Sequence, residues 1–403
     1  MQELVVIDIT RLLGAYFEKR LPTGVDRVTL AYIKHFRSSC RVLLRWRGLS
    51  GLFSLDISRQ VIDLMLEWAV ATAGPMRRLV AYGVLSSIGT GNAHGAIFLH
   101  TGHNDAELAS IWRNIRWHQV RPVFFVHDLI PLTHPQYCRR GEPDRHRLRV
   151  LSMLQGAAVI ANSEHTLAEL SEFAKSHGKL LPAQCVALLA PSEQYASNLT
   201  ALTPRVTSVQ QKVCAPTPYF LMLGTIEPRK NHALLLRAWT RMLESLPIEM
   251  VPELIVIGQT GWDCDDVQAK LVDTPRFMER VRWIKHCNDT DMAGWMLGAT
   301  ALLFPSHVEG FGMPAIEALL AHTPVIASDL AVFRESVGDV PEYVSIGDMQ
   351  LWVDTIMLYA AKESTCRDAQ LRRMQSWQAP TWKLHFSKVD AFLDALPAYD
   401  ERA

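Results

Sequence analysis

Short apolar runs rich in Val, Ile, Leu and Phe, separated by stretches of helical periodicity, constrain this chain more than any other feature. A run that is apolar on both faces needs cover above and below, which is the signature of a buried parallel strand. One series is Leu4–Ile9, Arg41–Trp46, Ala96–His100, Val123–Asp128, Ala157–Ser163 and Cys185–Ala190. A second is Phe220–Thr225, Leu254–Gln259, Val281–His286, Ala301–Ser306, Pro324–Asp329 and Tyr343–Gly347. Helical patterns lie between them, such as HALLLRAWTRMLESL with apolar residues at 234, 235, 238, 239, 242, 243 and 246. Two βα arrays in tandem predict an α/β protein of two doubly wound domains.

Between the arrays, Asn198–Pro218 is polar, punctuated by Thr, Ser and Pro and without clear periodicity, as a linker is. The domains therefore read as 1–205 and 206–380, with 381–403 a final helical segment set off by Ala379-Pro380 and able to pack on either domain. No fixed short repeat or low-complexity tract stands out, which sets solenoids aside. From Leu79 to Asn104 there is no Asp, Glu, Lys or Arg, a length that would cross a bilayer, but turn-rich Ser86–Gly95 divides it into two core elements.

With 41 Lys and Arg against 41 Asp and Glu, the formal charge is zero, which argues against nucleic acid as the main partner. Seven scattered cysteines with no CxxC pair argue against a disulfide framework or a zinc knuckle, and so for a reducing, cytoplasmic setting. Glu3 and Asp8 in and before the first apolar run, with no small-residue cleavage site, point away from a secretory signal.

Two segments carry chemistry. In FPSHVEGFGMPAIEALLAHTPVIASD, a strand runs into a turn with Gly310 and Gly312 and then a helix beginning near Met313, whose free N–H groups suit a phosphate. Glu309 and Glu317, eight residues apart and about 12 Å if helical, are spaced to touch two ends of one extended ligand. In LMLGTIEPRKNHALLLRAW, the first strand of the second array ends at Gly224 and its loop carries Glu227, Arg229 and Lys230 before a helix capped at about Asn231. Two adjacent cations at the carboxyl end of a parallel strand suit a diphosphate.

GTIEPRKNH, followed later by EGFGMPAIEAL with its E-x7-E pattern and by PVIASD, resembles the donor-binding half of family 4 retaining glycosyltransferases. In the first array, LPTGVDRVTLAYI resembles that family's glycine loop leading into its first helix, and VFFVHDLIPLTHP its HD-loop. The resemblance implies the GT-B fold, two Rossmann-like domains facing across a cleft with the last helix crossing back. It also implies roles: Arg229 and Lys230 on the donor diphosphate, Glu317 on ribose, and Glu309 on the transferred sugar. Gly310, Phe311, Gly312 and Met313 then lie near phosphate and sugar, Gly24 closes over the phosphate, and His127 contacts the sugar beside the reacting carbon. His127, Glu309, Arg229 and Lys230 form the expected catalytic set. Asp26, Arg27, Asp128, Arg139 and Arg140 are acceptor-side candidates, although Asp26 and Arg27 also read as a capping pair and the arginine-rich run Arg139–Val150 as a solvated helix face.

Other patterns carry less. Asp263–Asp266 imitates a metal-binding DxD, but acids at a helix start suit the dipole, and no metal or resident cofactor is expected. Gly89–Gly95 has the wrong glycine spacing for a dinucleotide site and precedes its strand. The expectation is a retaining hexosyltransferase that uses a nucleotide sugar, GDP-mannose favoured over UDP-sugars, to extend a saccharide or lipid-linked saccharide in surface polysaccharide or lipopolysaccharide assembly. It would work in the cytoplasm, with peripheral contact at the inner face of the membrane left open and oligomeric state unread. The alternative is a catalytically weak nucleotide-sugar-binding or scaffold subunit of such an assembly complex.

Overall fold

The computed structural model describes residues 4–46, 49–68, 72–87, 93–102, 105–210, 217–272 and 275–399. It divides into two units: Met1–Leu132, Arg140–Leu189 and Thr381–Ala403 form one, and Thr133–Arg139 and Ala190–Pro380 the other.

The first unit holds β1 (Val5–Asp8), β2 (Cys40–Trp46), β3 (Leu49–Leu52), β4 (Ile97–His100), β5 (Arg121–Val126), β6 (Ala158–Ala161) and β7 (Ala183–Val186). They order as β3-β2-β1-β4-β5-β6-β7, parallel except for the antiparallel β2–β3 pair at one edge. Every residue of β1, β4 and β6 is buried, as continuous apolar runs require. Sequence reading missed β3, and it placed the glycine loop before the first helix, whereas a helix Thr10–Phe17 already precedes it. The final helix, Trp382–Asp394, belongs to this unit. Its His385 sits between the Leu188 carbonyl and the Tyr32 hydroxyl, each 3.0 Å away. The Arg121 guanidinium donates to the carbonyls of Leu396 and Pro397.

The second unit holds β8 (Tyr219–Leu223), β9 (Glu253–Ile257), β10 (Val281–Ile284), β11 (Ala301–Phe304), β12 (Val325–Ala327) and β13 (Glu342–Tyr343), all parallel in the order β10-β9-β8-β11-β12-β13. Strand order reverses between β8 and β11, and in such sheets the crevice beyond the carboxyl ends at that point is where ligands bind.

The expected linker is helical over Glu193–Gln210, and 211–216 lie outside the described residues. The unit boundary accordingly falls at Leu189/Ala190, upstream of 205/206. Packing overrides a polar composition here. Tyr195 and Leu199 are buried, and the helix lies against Asp289–Gly298. The charge-free stretch 79–104 falls on the helix Ala73–Ser86 and on β4, while 88–92 and 103–104, with much of the glycine pattern at 89–95, lie outside the described residues. No described helix is long and apolar enough to cross a membrane. Asp263–Asp266 leads into the helix Asp265–Leu271, where Asp265 and Asp266 occupy the first turn.

Candidate functional site

At the switch point of the second sheet, two loops carry most of the residues singled out from sequence. After β8 the chain turns at Gly224 (φ 131°), and Ile226 donates its N–H to the Gln259 carbonyl, which pins this loop to the end of β9. A Cβ at Gly258 would lie 1.9 Å from the Gly224 carbonyl oxygen, a backbone atom that cannot yield without moving the loop. Gly258→Ala is therefore expected to cost about 3 kcal/mol of stability, read by chemical denaturation.

Pro228–Lys230 forms one 3-10 turn, and Asn231 follows in the left-handed region (φ 58°), its side-chain amide donating to the Pro305 carbonyl at 3.2 Å. The second loop answers: the His307 N–H donates to the Arg229 carbonyl at 2.8 Å. These two backbone ties bring Arg229, Lys230 and Glu309 together. Arg229 Nη1 donates to Glu309 Oε2 at 2.8 Å, while Lys230 Nζ and, at 2.7 Å, Ser306 Oγ donate to Oε1. Arg229 Nε also pairs with Glu227 at 2.6 Å.

Glu309 and Lys230 are each only 7 % exposed, and Glu317, the fifth residue of the helix Met313–Leu320, 5 %. Burial alone would raise the Glu309 carboxyl, but Arg229 and Lys230 outweigh it and hold the group at about 2. Two carboxylates and two cations thus leave the cluster formally neutral, with Arg229 the more exposed cation. Gly312 (φ 92°) turns the chain into the helix, and a Cβ there would strike the Phe333 ring at 2.5 Å. Gly310 is half-buried, Phe311 buried and Met313 half-buried beside it.

Sequence reasoning missed several supporting groups. Ser306 was within reach, because it follows β11 directly in the FPS segment. Tyr195 was not: its hydroxyl donates to the Glu317 carbonyl from 122 residues away, and no local pattern announces that. His232, the first residue of the helix His232–Ser245, is buried with neither ring nitrogen hydrogen-bonded among the described residues. Burial, with Lys230 beside it, pushes its imidazole down to about 3, so it is neutral.

The remaining candidates lie on the first unit, apart from Arg139, which groups with the second. Gly24 opens the helix Gly24–His35, and Thr23 and Asp26 form a capping box there. Asp26 accepts from the Thr23 N–H (2.9 Å), the Thr23 hydroxyl (2.6 Å) and Arg11 Nε (3.0 Å), so this buried carboxylate is committed to the helix start. Arg27 is half-buried on the same helix. His127 is buried at the end of β5, its Nε2–H donating to the Thr101 carbonyl at 2.7 Å and its own carbonyl accepting from Asn162 at 2.8 Å. Burial is the main reason that its pKa is lowered. Asp128 accepts from the Ile130 N–H at 3.1 Å. Arg139 and Arg140 are exposed. The run after them is not a uniformly solvated face: Arg145 and Arg147 pair with Glu142 and Asp144 on the surface, but Arg149 is buried between Glu107 and Glu142. An ion-paired cluster escaped sequence reading altogether, in which Arg45 joins Asp8 at 2.6 Å and Asp105 at 3.2 Å.

Residues 208–368 match the family described as "Glycosyl transferases group 1". The serotype-specific mannosyltransferase WbdA of Escherichia coli is 28% identical over 264 residues, 61% of this chain and 30% of the relative. The O-antigen chain mannosyltransferase B of Escherichia coli is 32% identical over 226 residues, 54% of this chain and 56% of the relative. This chain therefore aligns to less than two thirds of either relative's length. Among solved structures, Anabaena Alr3699/HepE in complex with UDP and glucose superposes with a TM-score of 0.65 at 14% identity, covering 98% of this chain and 100% of the other. The chain has the GT-B fold, and its residues 208–368 are similar to the glycosyl transferases group 1 family.

Proposed function

We propose that this protein is a retaining glycosyltransferase that moves a hexose, mannose favoured, from a nucleoside diphosphate to a saccharide or lipid-linked saccharide in surface polysaccharide assembly. The observation that carries the reading is the pairing of Glu309 with Arg229 and Lys230 beside the switch point of the second sheet. The named relatives support mannose, and GDP as the base carrier is our preference over UDP.

In this reading the bond from the sugar carbon to the diphosphate oxygen breaks as the acceptor oxygen bonds to the same face. The acceptor proton passes to the departing phosphate oxygen, so no protein nucleophile is needed. Negative charge gathers on the diphosphate, and Arg229, more exposed than Lys230, turns toward it. Lys230 adds its charge from below while Ser306 and Lys230 keep Glu309 oriented toward the sugar hydroxyls. Because these two cations supply the stabilising charge, we propose no metal requirement. Glu317 is assigned to the ribose. Gly24 and His127 keep the roles that the family resemblance implies.

The test is a melting-point and donor-cleavage screen of the purified protein against GDP-mannose, other GDP-sugars and UDP-sugars. One nucleotide sugar is expected to stabilise the protein and to be cleaved slowly. If no nucleotide sugar moves the melting point, the donor-site assignment fails and a scaffold role replaces it.

A further inference from the structure

The stretch that follows β5 does not stay with the first unit. Thr133–Arg139 groups with the second, although the chain up to Leu132 and from Arg140 belongs to the first. A short helix, Ile130–Thr133, leads into a 3-10 turn over Pro135–Tyr137, where Tyr137 and Cys138 donate their N–H groups to the His134 and Pro135 carbonyls, each at 3.1 Å. Pro135 presets the first φ of that turn, and the turn fixes where Tyr137 leaves the backbone. The half-buried Tyr137 ring lies flat over the His307 imidazole, with 4.7 Å between centroids and 14° between planes. The His134 ring runs nearly parallel to Tyr137 at 6.4 Å.

His307 sits in the middle of the site loop. The Pro305 and Ser306 carbonyls before it accept from the side chains of Asn231 (3.2 Å) and Ser328 (2.6 Å), and its own N–H is the one that reaches the Arg229 carbonyl. Ser306 and Glu309, on either side of it, are bonded to each other. Those ties hold the backbone. Among the described residues the His307 ring is held by the flat contact with Tyr137 and by no hydrogen bond. Burial, then Arg237 and His134, lower its pKa, so the ring that stacks is neutral at neutral pH. The side chain that steadies this loop therefore comes from the first array of the sequence and not from the sheet that carries the loop.

We propose that Tyr137 is a positioning residue: by stacking on His307 it holds the Ser306–Glu309 stretch in register with Arg229 and Lys230, and so keeps Arg229 aligned for the departing diphosphate. Tyr137 acts through His307 and not on the donor. Arg229 is engaged by Glu227 and Glu309 and is drawn to the diphosphate only as charge gathers there, so a loosened loop weakens the transition state more than donor binding. The effect on rate rests on the transferase reading, whereas the hold on the loop does not.

The experiment compares Tyr137→Ala, Tyr137→Phe and His307→Ala in the full chain, by cleavage of GDP-mannose and by urea unfolding with and without Glu309→Gln. His307→Ala leaves the backbone tie to Arg229 in place. Tyr137→Ala and His307→Ala are each expected to lower kcat roughly ten-fold, the upper value of such a stack, with KM for GDP-mannose unchanged. The two together lose no more than either alone, because they remove one contact. Tyr137→Phe keeps the ring and keeps the rate. In urea, the midpoint lost to Glu309→Gln is smaller in the Tyr137→Ala background than in the parent, since a released loop no longer presents the carboxylate squarely to both cations. A tyrosine that merely packs would leave those two urea losses additive, and additive losses overturn the proposal. So does a Tyr137→Ala protein that cleaves donor at the parent rate, or a Tyr137→Phe protein that loses as much as Tyr137→Ala. A parent protein that cleaves no GDP-mannose counts against the transferase reading with that donor, and the urea comparison then decides the role of Tyr137 alone.

Discussion

Glu309→Gln is expected to lose both stability and turnover. The carboxylate balances Arg229 and Lys230, and its removal leaves the Lys230 ammonium buried with no counter-charge in the cluster except Glu227, which is held by Arg229. Breaking a buried pair in this way costs about 3–5 kcal/mol, and losing the orientation of the cations lowers donor cleavage by roughly 10² to 10³. The effect depends on pH in a defined direction. The carboxyl titrates at about 2 in the folded protein against an ordinary 4.5, so its contribution is complete above pH 4.5, declines as pH falls toward 2 and vanishes below. That interval is worth about 3 kcal/mol. Urea unfolding should therefore show a wide gap between parent and variant at neutral pH and a narrower one at about pH 3. A gap that stays constant down to that pH would mean that the carboxylate is not what holds the cations.

The sheets were legible because burial on both faces leaves a direct trace in sequence. Each of the twelve apolar runs overlaps a strand, although β7 shares only Cys185 and Val186 with its run and β13 only Tyr343. The strand that escaped, Leu49–Leu52, has Ser50 and Gly51 at its centre and pairs on one side only, so it shows no apolar run. The helix Glu193–Gln210 escaped for the opposite reason. Its first half is held by Tyr195 and Leu199, which look incidental among polar neighbours until the rest of the fold covers them. Composition reports the polar residues of such a helix, whereas stability comes from the few apolar ones that the fold buries.

At the site, residue identity was more legible than residue partnership. Arg229, Lys230, Glu309 and Glu317 could be singled out from glycine turns and spacing, but nothing in spacing says that Glu309 binds both cations. That fact needs β8 and β11 to be neighbours and the backbone ties from Asn231 to Pro305 and from His307 to Arg229. The first unit shows the reverse. Asp26 carries a local sequence signal, Thr23 three residues before it, and the capping role that this signal permits is the one in the structure.

Arg229→Ala separates chemistry from folding. Arg229 is partly exposed, and without it Glu309 still accepts from Lys230 and Ser306, so the stability loss should be no more than about 1 kcal/mol. In the transferase reading, however, Arg229 meets charge that develops only as the diphosphate departs. Removing such a group costs about 2.7–4 kcal/mol of barrier, or roughly 10² to 10³ in rate. Lys230→Met should behave differently, because it strips a buried carboxylate of its close partner and lowers stability as well as rate. Adding Glu309→Gln to Lys230→Met then removes both buried charges, so the double variant should regain part of the lost stability and none of the lost turnover. Single-turnover donor cleavage and urea unfolding of the same four proteins measure the two effects independently. A double variant that recovers rate together with stability would reduce these cations to scaffolding, and so would an Arg229→Ala protein that cleaves donor at the parent rate.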